Sequence, residues 1–106
     1  MIMKKTINIS IDYTITPGAR YIADGDFSGE EFLNKILEPK YRSLGEDEIL
    51  EINLDGTDGY ATSFLDEAFG GLARKYGKNI VLQKLKFISD EEPYLIEEIK
   101  NYINEV

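Results

Sequence analysis

Apolar and polar positions alternate from Lys4 onward, with Ile7, Ile9 and Ile11 on one face and Asn8, Ser10 and Asp12 on the other. This period of two predicts a half-buried first strand near a sheet edge, ended by the turn chemistry of Thr16-Pro17-Gly18. Tyr21 and Ile22 suggest a short second strand. The period then lengthens. Ser28 is spaced to accept a hydrogen bond from the Glu31 backbone, with Glu31 reaching back and Phe27 packing on Phe32, so a helix is predicted from Ser28 to about Glu38. Its buried stripe is Phe32, Leu33, Ile36 and Leu37, and Pro39 stops it. From Glu48 to Asp55 apolar residues fall on both faces, as in an inner strand covered by helices. After the loop Gly56 to Thr62, a second helix is entered at Ser63, with Asp66 at its third position and Gly77 closing it. Phe64, Leu65, Ala68, Phe69, Leu72, Ala73 and Tyr76 recur at helical spacing. Gly70-Gly71 inside this helix costs about 1 kcal/mol per glycine relative to alanine, which points to close approach to the sheet or a partner. Asn79 to Ile88 reads as a further strand. Ser89-Asp90-Glu91-Glu92-Pro93 opens a last helix with Leu95, Ile96, Ile99, Tyr102 and Ile103 buried. Strands alternating with helices give an α/β domain over residues 1–106, its later strands parallel.

Composition narrows the chemistry. A chain of 106 residues builds one core, and its net charge of −8 repels phosphate backbones and anionic lipid, so nucleic acid and membranes are excluded as partners. The sequence has no cysteine and no histidine. Disulfides, zinc sites, cysteine nucleophiles and histidine-based triads are therefore absent, and neither a cofactor nor a metal is expected. No signal-peptide core or bilayer-spanning run is present, which predicts a cytoplasmic protein.

The polar motifs have structural readings beside functional ones. Ser63 caps its helix in the simplest reading. Asp55-Gly56-Thr57-Asp58-Gly59 fails the calcium-loop template, since Gly59 stands at its fifth position and Tyr60 at its sixth, and reads as a turn with Gly56 and Gly59 at positive φ and the acids in solvent. Asp66 and Glu67, adjacent on a helix, diverge by about 100° and form no dyad by themselves. Arg20 is expected to pair with Asp24 or Asp26. Tyr60 at the loop tip is either an interface anchor or folded down onto the domain. No phosphate-binding glycine loop is present.

Pro17-Gly18-Ala19-Arg20, Phe27-Ser28-Gly29-Glu30-Glu31-Phe32 and the ten residues from Ser63 to Leu72 resemble the STAS-like domain family of unknown function. That family is similar in layout to anti-sigma factor antagonists. The resemblance implies a mixed sheet of about four strands flanked by about three helices, and a regulatory hydroxyl at the start of the helix after the central strand. It further implies a protein partner, an anti-sigma or histidine-kinase-like ATPase that phosphorylates that hydroxyl. Where antagonists carry Asp-Ser-Ser-Gly-Leu, this chain has Ala61-Thr62-Ser63-Phe64-Leu65, so Thr62 and Ser63 are the nearest acceptors.

The expected function is thus a non-enzymatic regulatory module that docks a protein through Asp55, Thr57, Asp58, Tyr60, Phe64, Asp66 and Glu67. Two alternatives stand beside it: a small nucleotide-binding or carboxylate-dependent enzyme, and an acidic mimic of nucleic acid. Between Arg42 and Arg74 there is no Lys or Arg, whereas Glu46, Asp47, Glu48, Glu51, Asp55, Asp58, Asp66 and Glu67 fall there. This acidic stretch nominates a surface and a partner with a basic patch.

Overall fold

The computed structural model describes residues 3–106. Strand β1, Met3–Asn8, keeps the predicted alternation only to Asn8. There the Asp12 carboxylate accepts the Asn8 N–H at 2.7 Å and the Ile9 carbonyl accepts from Tyr13 and Thr14, coiling Ile9–Asp12 into a single helical turn. The coil turns Ile9 into the core and leaves Ile11 exposed. Tyr21 and Ile22 form no strand: Ile22–Asp24 is a 3-10 turn, because the N–H groups of Tyr21 and Ile22 are taken by the side chains of Asp24 and Glu30.

Helix α1 covers residues 29–42 without a break and begins as predicted, with the Ser28 hydroxyl accepting from the Glu31 N–H at 3.0 Å. Glu31 itself turns to Lys35, and the Tyr13 ring stands between Phe27 and Phe32. Pro39 does not end the helix. Leu33–Leu37 is wound as a π turn, with the Glu38 N–H reaching the Leu33 carbonyl, and this wider turn makes room for a ring that would otherwise strike the carbonyl four residues back.

Strand β2, Glu48–Asn53, is the middle of a wholly parallel sheet of order β1-β2-β3. Helix α2 spans residues 62–76, with a second π turn at Asp66–Gly70, and is followed across Gly77, at φ 97°, by helix α3, Lys78–Lys84. The expected strand from Asn79 is therefore helical in its first half. Val81 and Leu85 are buried four residues apart, and alternation starts only with strand β3, Leu85–Ile88. Helix α4, Tyr94–Asn104, closes the chain. Among the described residues the sheet thus has three strands, and the expected mixed sheet of about four is corrected.

The register puts Ile7, Ile52 and Phe87 in one row and Leu50 beside Leu85, and this face is the one the helices cover. The other face carries Lys4, Thr6, Glu51 and Lys86 and is open, with Thr6 and Lys86 exposed. The prediction that helices cover β2 on both sides is thus corrected. Lys4 bridges to Glu51 at 3.3 Å, and Glu51 is buried although it stands on the open face. The core lies between sheet and helices. Where α1 crosses α2, a Cβ on Gly29 would stand 2.6 Å from the Phe64 carbonyl oxygen, and one on Gly71 2.8 Å from Leu33. Of the predicted pair Gly70-Gly71, Gly71 therefore serves a helix–helix contact, whereas a Cβ on Gly70 would meet Asp66 and Arg74 of its own helix; the predicted contact with sheet or partner is not what they meet.

Candidate functional site

The site begins where β2 ends. The Leu54 N–H donates to the Ile88 carbonyl at 2.8 Å and Asn53 accepts the Asp55 N–H, so the loop leaves the sheet clamped to the end of β3. Gly56 and Gly59 take φ values of 90° and 123°, as the turn reading expects. Asp55, expected in solvent, is half-buried and engaged. Its two oxygens accept the N–H groups of Asp90 and Glu91 at 3.1 and 3.0 Å, while the Glu91 carboxylate accepts the Gly56 N–H at 2.6 Å. The two loops thus clasp each other. Thr57 accepts from the Gly59 N–H, whereas Asp58 is exposed and only its backbone is held, by the Ile15 carbonyl.

Tyr60 is folded down. Its hydroxyl donates to the Leu54 carbonyl at 2.8 Å and its ring lies 5.9 Å from that of Phe64, and burial pushes the phenol up to about 12. Phe64 is fully buried beneath Tyr13, Phe32 and Tyr60, so it has no surface to offer a partner and drops out of the docking set.

The start of α2 also differs from expectation. Ala61, not Ser63, is the N-cap residue, its carbonyl accepting from the N–H groups of Phe64 and Leu65. Thr62 is the first helical residue and is exposed; Ser63 is the second and is half-buried. The Tyr102 hydroxyl of α4, which donates to Glu98 at 2.8 Å, lies beside the Thr62 hydroxyl, and burial first and Glu98 second push this phenol up to about 12. Thr62 thus stands at a helix N-terminus, in solvent, with Glu98 and Asp66 nearby.

Asp66 and Glu67 do act together, through arginines on either side. Arg20 lies 2.9 Å from Asp66 and 3.5 Å from Glu67, and Arg74 lies 3.7 Å from Glu67 and 4.0 Å from Asp66. The expected pairing of Arg20 with Asp24 or Asp26 is therefore corrected. A partner 46 residues away in sequence gives no local signal. Arg74 was legible, since it follows Glu67 by two helical turns and falls on the same face. Glu91 and Tyr102, absent from the predicted set, come from elements that no local pattern ties to the β2 loop.

The eight acids between Arg42 and Arg74 do not form one surface. The length of β2 separates Glu46, Asp47 and Glu48 from Asp55 and Asp58; Glu48 and Glu51 meet Lys5 and Lys4, and Asp66 and Glu67 meet arginines. The cavity bounded by Asp55, Thr57, Tyr60, Glu91, Glu92 and Leu95 holds about 10 Å³, room for one water at most and not for a nucleotide. No helix among the described residues is long and apolar enough to cross a membrane.

No curated protein and no solved structure matches the chain significantly. Residues 28–95, which hold α1, β2, α2, α3, β3 and the start of α4, match the model of one protein family. With a parallel sheet covered by helices on one face and well over half its length matched, the chain belongs to the STAS-like domain family of unknown function.

Proposed function

We propose that this STAS-like domain is a non-enzymatic regulatory module of the cytoplasm that binds a protein partner at the Asp58 to Ser63 surface and is switched by phosphorylation of Thr62. The observation that carries the reading is the exposed Thr62 hydroxyl at the first residue of α2, directly beyond the central strand. A phosphate there adds about −1.5 to −2 charges at the positive end of a helix. It also faces Glu98 and Asp66, so it competes with the Tyr102–Glu98 hydrogen bond and alters the surface offered to the partner. Ser63, half-buried, is the weaker acceptor. The water-sized cavity between the clasped loops speaks against a nucleotide site at the β2 loop, and the scattering of the acids disfavours a nucleic-acid mimic. The partner class, a histidine-kinase-like ATPase, rests on the likeness to anti-sigma factor antagonists.

The test is incubation of the purified chain with such an ATPase from its host and ATP, followed by fragment mass spectrometry. One phosphate on Thr62, absent in Thr62→Val, is expected, with binding to the ATPase changed by Thr62→Glu. No phosphate on Thr62 or Ser63, together with no binding, overturns the reading.

A further inference from the structure

Nine large apolar side chains are exposed among the described residues, and five of them, Ile11, Ile15, Tyr21, Ile22 and Phe27, lie within 11–27. Three of these sit on the loop 18–27, which is closed at its base by the Gly18 N–H donating to the Phe27 carbonyl at 2.8 Å. The carbonyls of Ala19 and Arg20 accept from Gly29 and Glu30, tying the loop to the start of α1. Its tip is held by the Tyr21 N–H on Asp24 and the Ile22 N–H on Glu30. Yet Tyr21 and Ile22 are 48% and 50% exposed. Phe27 sits at φ 55°, a left-handed conformation that bulky residues rarely adopt, and is braced edge-on by Tyr13 at 5.6 Å while 40% of it meets solvent. A loop ordered by its own hydrogen bonds, with apolar side chains in water, loses little conformational entropy when a partner covers it.

Charge selects the partner. Asp24 and Asp26 are exposed on the same loop, and its one base, Arg20, is already taken by Asp66 and Glu67. We infer that loop 18–27 is a docking surface for a protein partner whose contact patch is apolar and rimmed by Lys or Arg. This surface does not include Thr62 and stands whether or not that residue is phosphorylated. A second copy does not fit, because a two-fold contact sets Asp24 and Asp26 against their own counterparts in a chain of net charge −8. An anionic bilayer is repelled by the same acids.

The probe is a helical peptide with leucines on one face and lysines on the other, titrated into the isotope-labelled full chain and followed by amide NMR. A peptide with glutamates in place of lysines is the control. Saturable shifts centred on 18–27 with the lysine peptide alone are expected. Ile22→Ser with Phe27→Gly should weaken binding about tenfold, as for loss of two anchoring side chains. Ile80→Ser, equally exposed elsewhere, should not, and thermal unfolding of all variants reports that they fold. Absence of binding, or shifts spread over other acids, overturns the inference, as does equal weakening by Ile80→Ser. So does a dimer in sedimentation that Ile22→Ser abolishes, or binding to phosphatidylglycerol vesicles. Shifts confined to 58–63 overturn this docking surface while leaving the Thr62 reading intact.

Discussion

Asp66 and Glu67 at the helix crossing, which a linear reading assigns to a partner, and Asp55 and Glu91 at the carboxyl ends of the strands, of which it assigns only Asp55, are both pairs of acids. The first pair is met by guanidinium groups and the second by backbone N–H groups. The difference matters energetically. Half-exposed ion pairs are screened and contribute little, whereas a carboxylate that satisfies loop N–H groups fixes backbone that has no other partner. The helix crossing is therefore held by packing, and the loop clasp by polar contacts.

That contrast can be broken in order of expected effect. Gly29→Ala places a methyl 2.6 Å from the Phe64 carbonyl oxygen, so α1 and α2 must separate. A loss of about 2–3 kcal/mol in urea unfolding is expected from this overpacking, and a loss within experimental error shows that packing does not hold the crossing. Asp55→Ala leaves the Asp90 and Glu91 N–H groups without acceptors. The expected cost is about 1–2 kcal/mol, with faster amide exchange at both positions and none at the crossing.

Tyr60→Phe removes the donor to the Leu54 carbonyl and should cost about 1 kcal/mol at neutral pH. It also sharpens the pH dependence. The folded phenol lies near 12 against an ordinary value of 10, because burial disfavours the phenolate. The folded state then holds the proton longer than the unfolded chain, so this stabilisation is complete below pH 10 and is lost as pH rises towards 12. Tyr60→Phe should make the alkaline fall in stability shallower, and an unchanged slope argues against a buried hydroxyl. Arg20→Ala should have the smallest effect, under about 1 kcal/mol, shrinking as salt is raised. A larger, salt-independent loss would mean that the ion cluster, and not the glycine crossing, holds the two helices.

Local signals in the sequence were legible to the extent that neighbours along the chain decide them. The Ser28 cap, the positive φ of Gly56 and Gly59, the α2 stripe and the central place of β2 depend on spacing within a few residues. Alternation misled where side chains captured the backbone, as Asp12 did at Asn8, and where a short apolar run suited either period, as at Ile80 to Leu85. At the site, Thr62 was within reach of the sequence, but its exposure was not, and neither was the burial of Phe64 three aromatic rings deep.

The sequence by itself determined an α/β chain of net charge −8 with no cysteine or histidine, and through its motifs the STAS-like family. Which acids remain free was decided only by the tertiary structure. Charge adds up along a chain regardless of conformation, but its neutralisation depends on partners within about 4 Å, and here, Arg74 apart, the cations that meet these acids come from 43 to 47 residues away. The apparent acidic surface dissolves for that reason, and the exposed apolar loop at 18–27 emerges because hydrogen bonds to Asp24, Glu30 and the Phe27 carbonyl hold its backbone in a turn that leaves Tyr21, Ile22 and Phe27 in solvent.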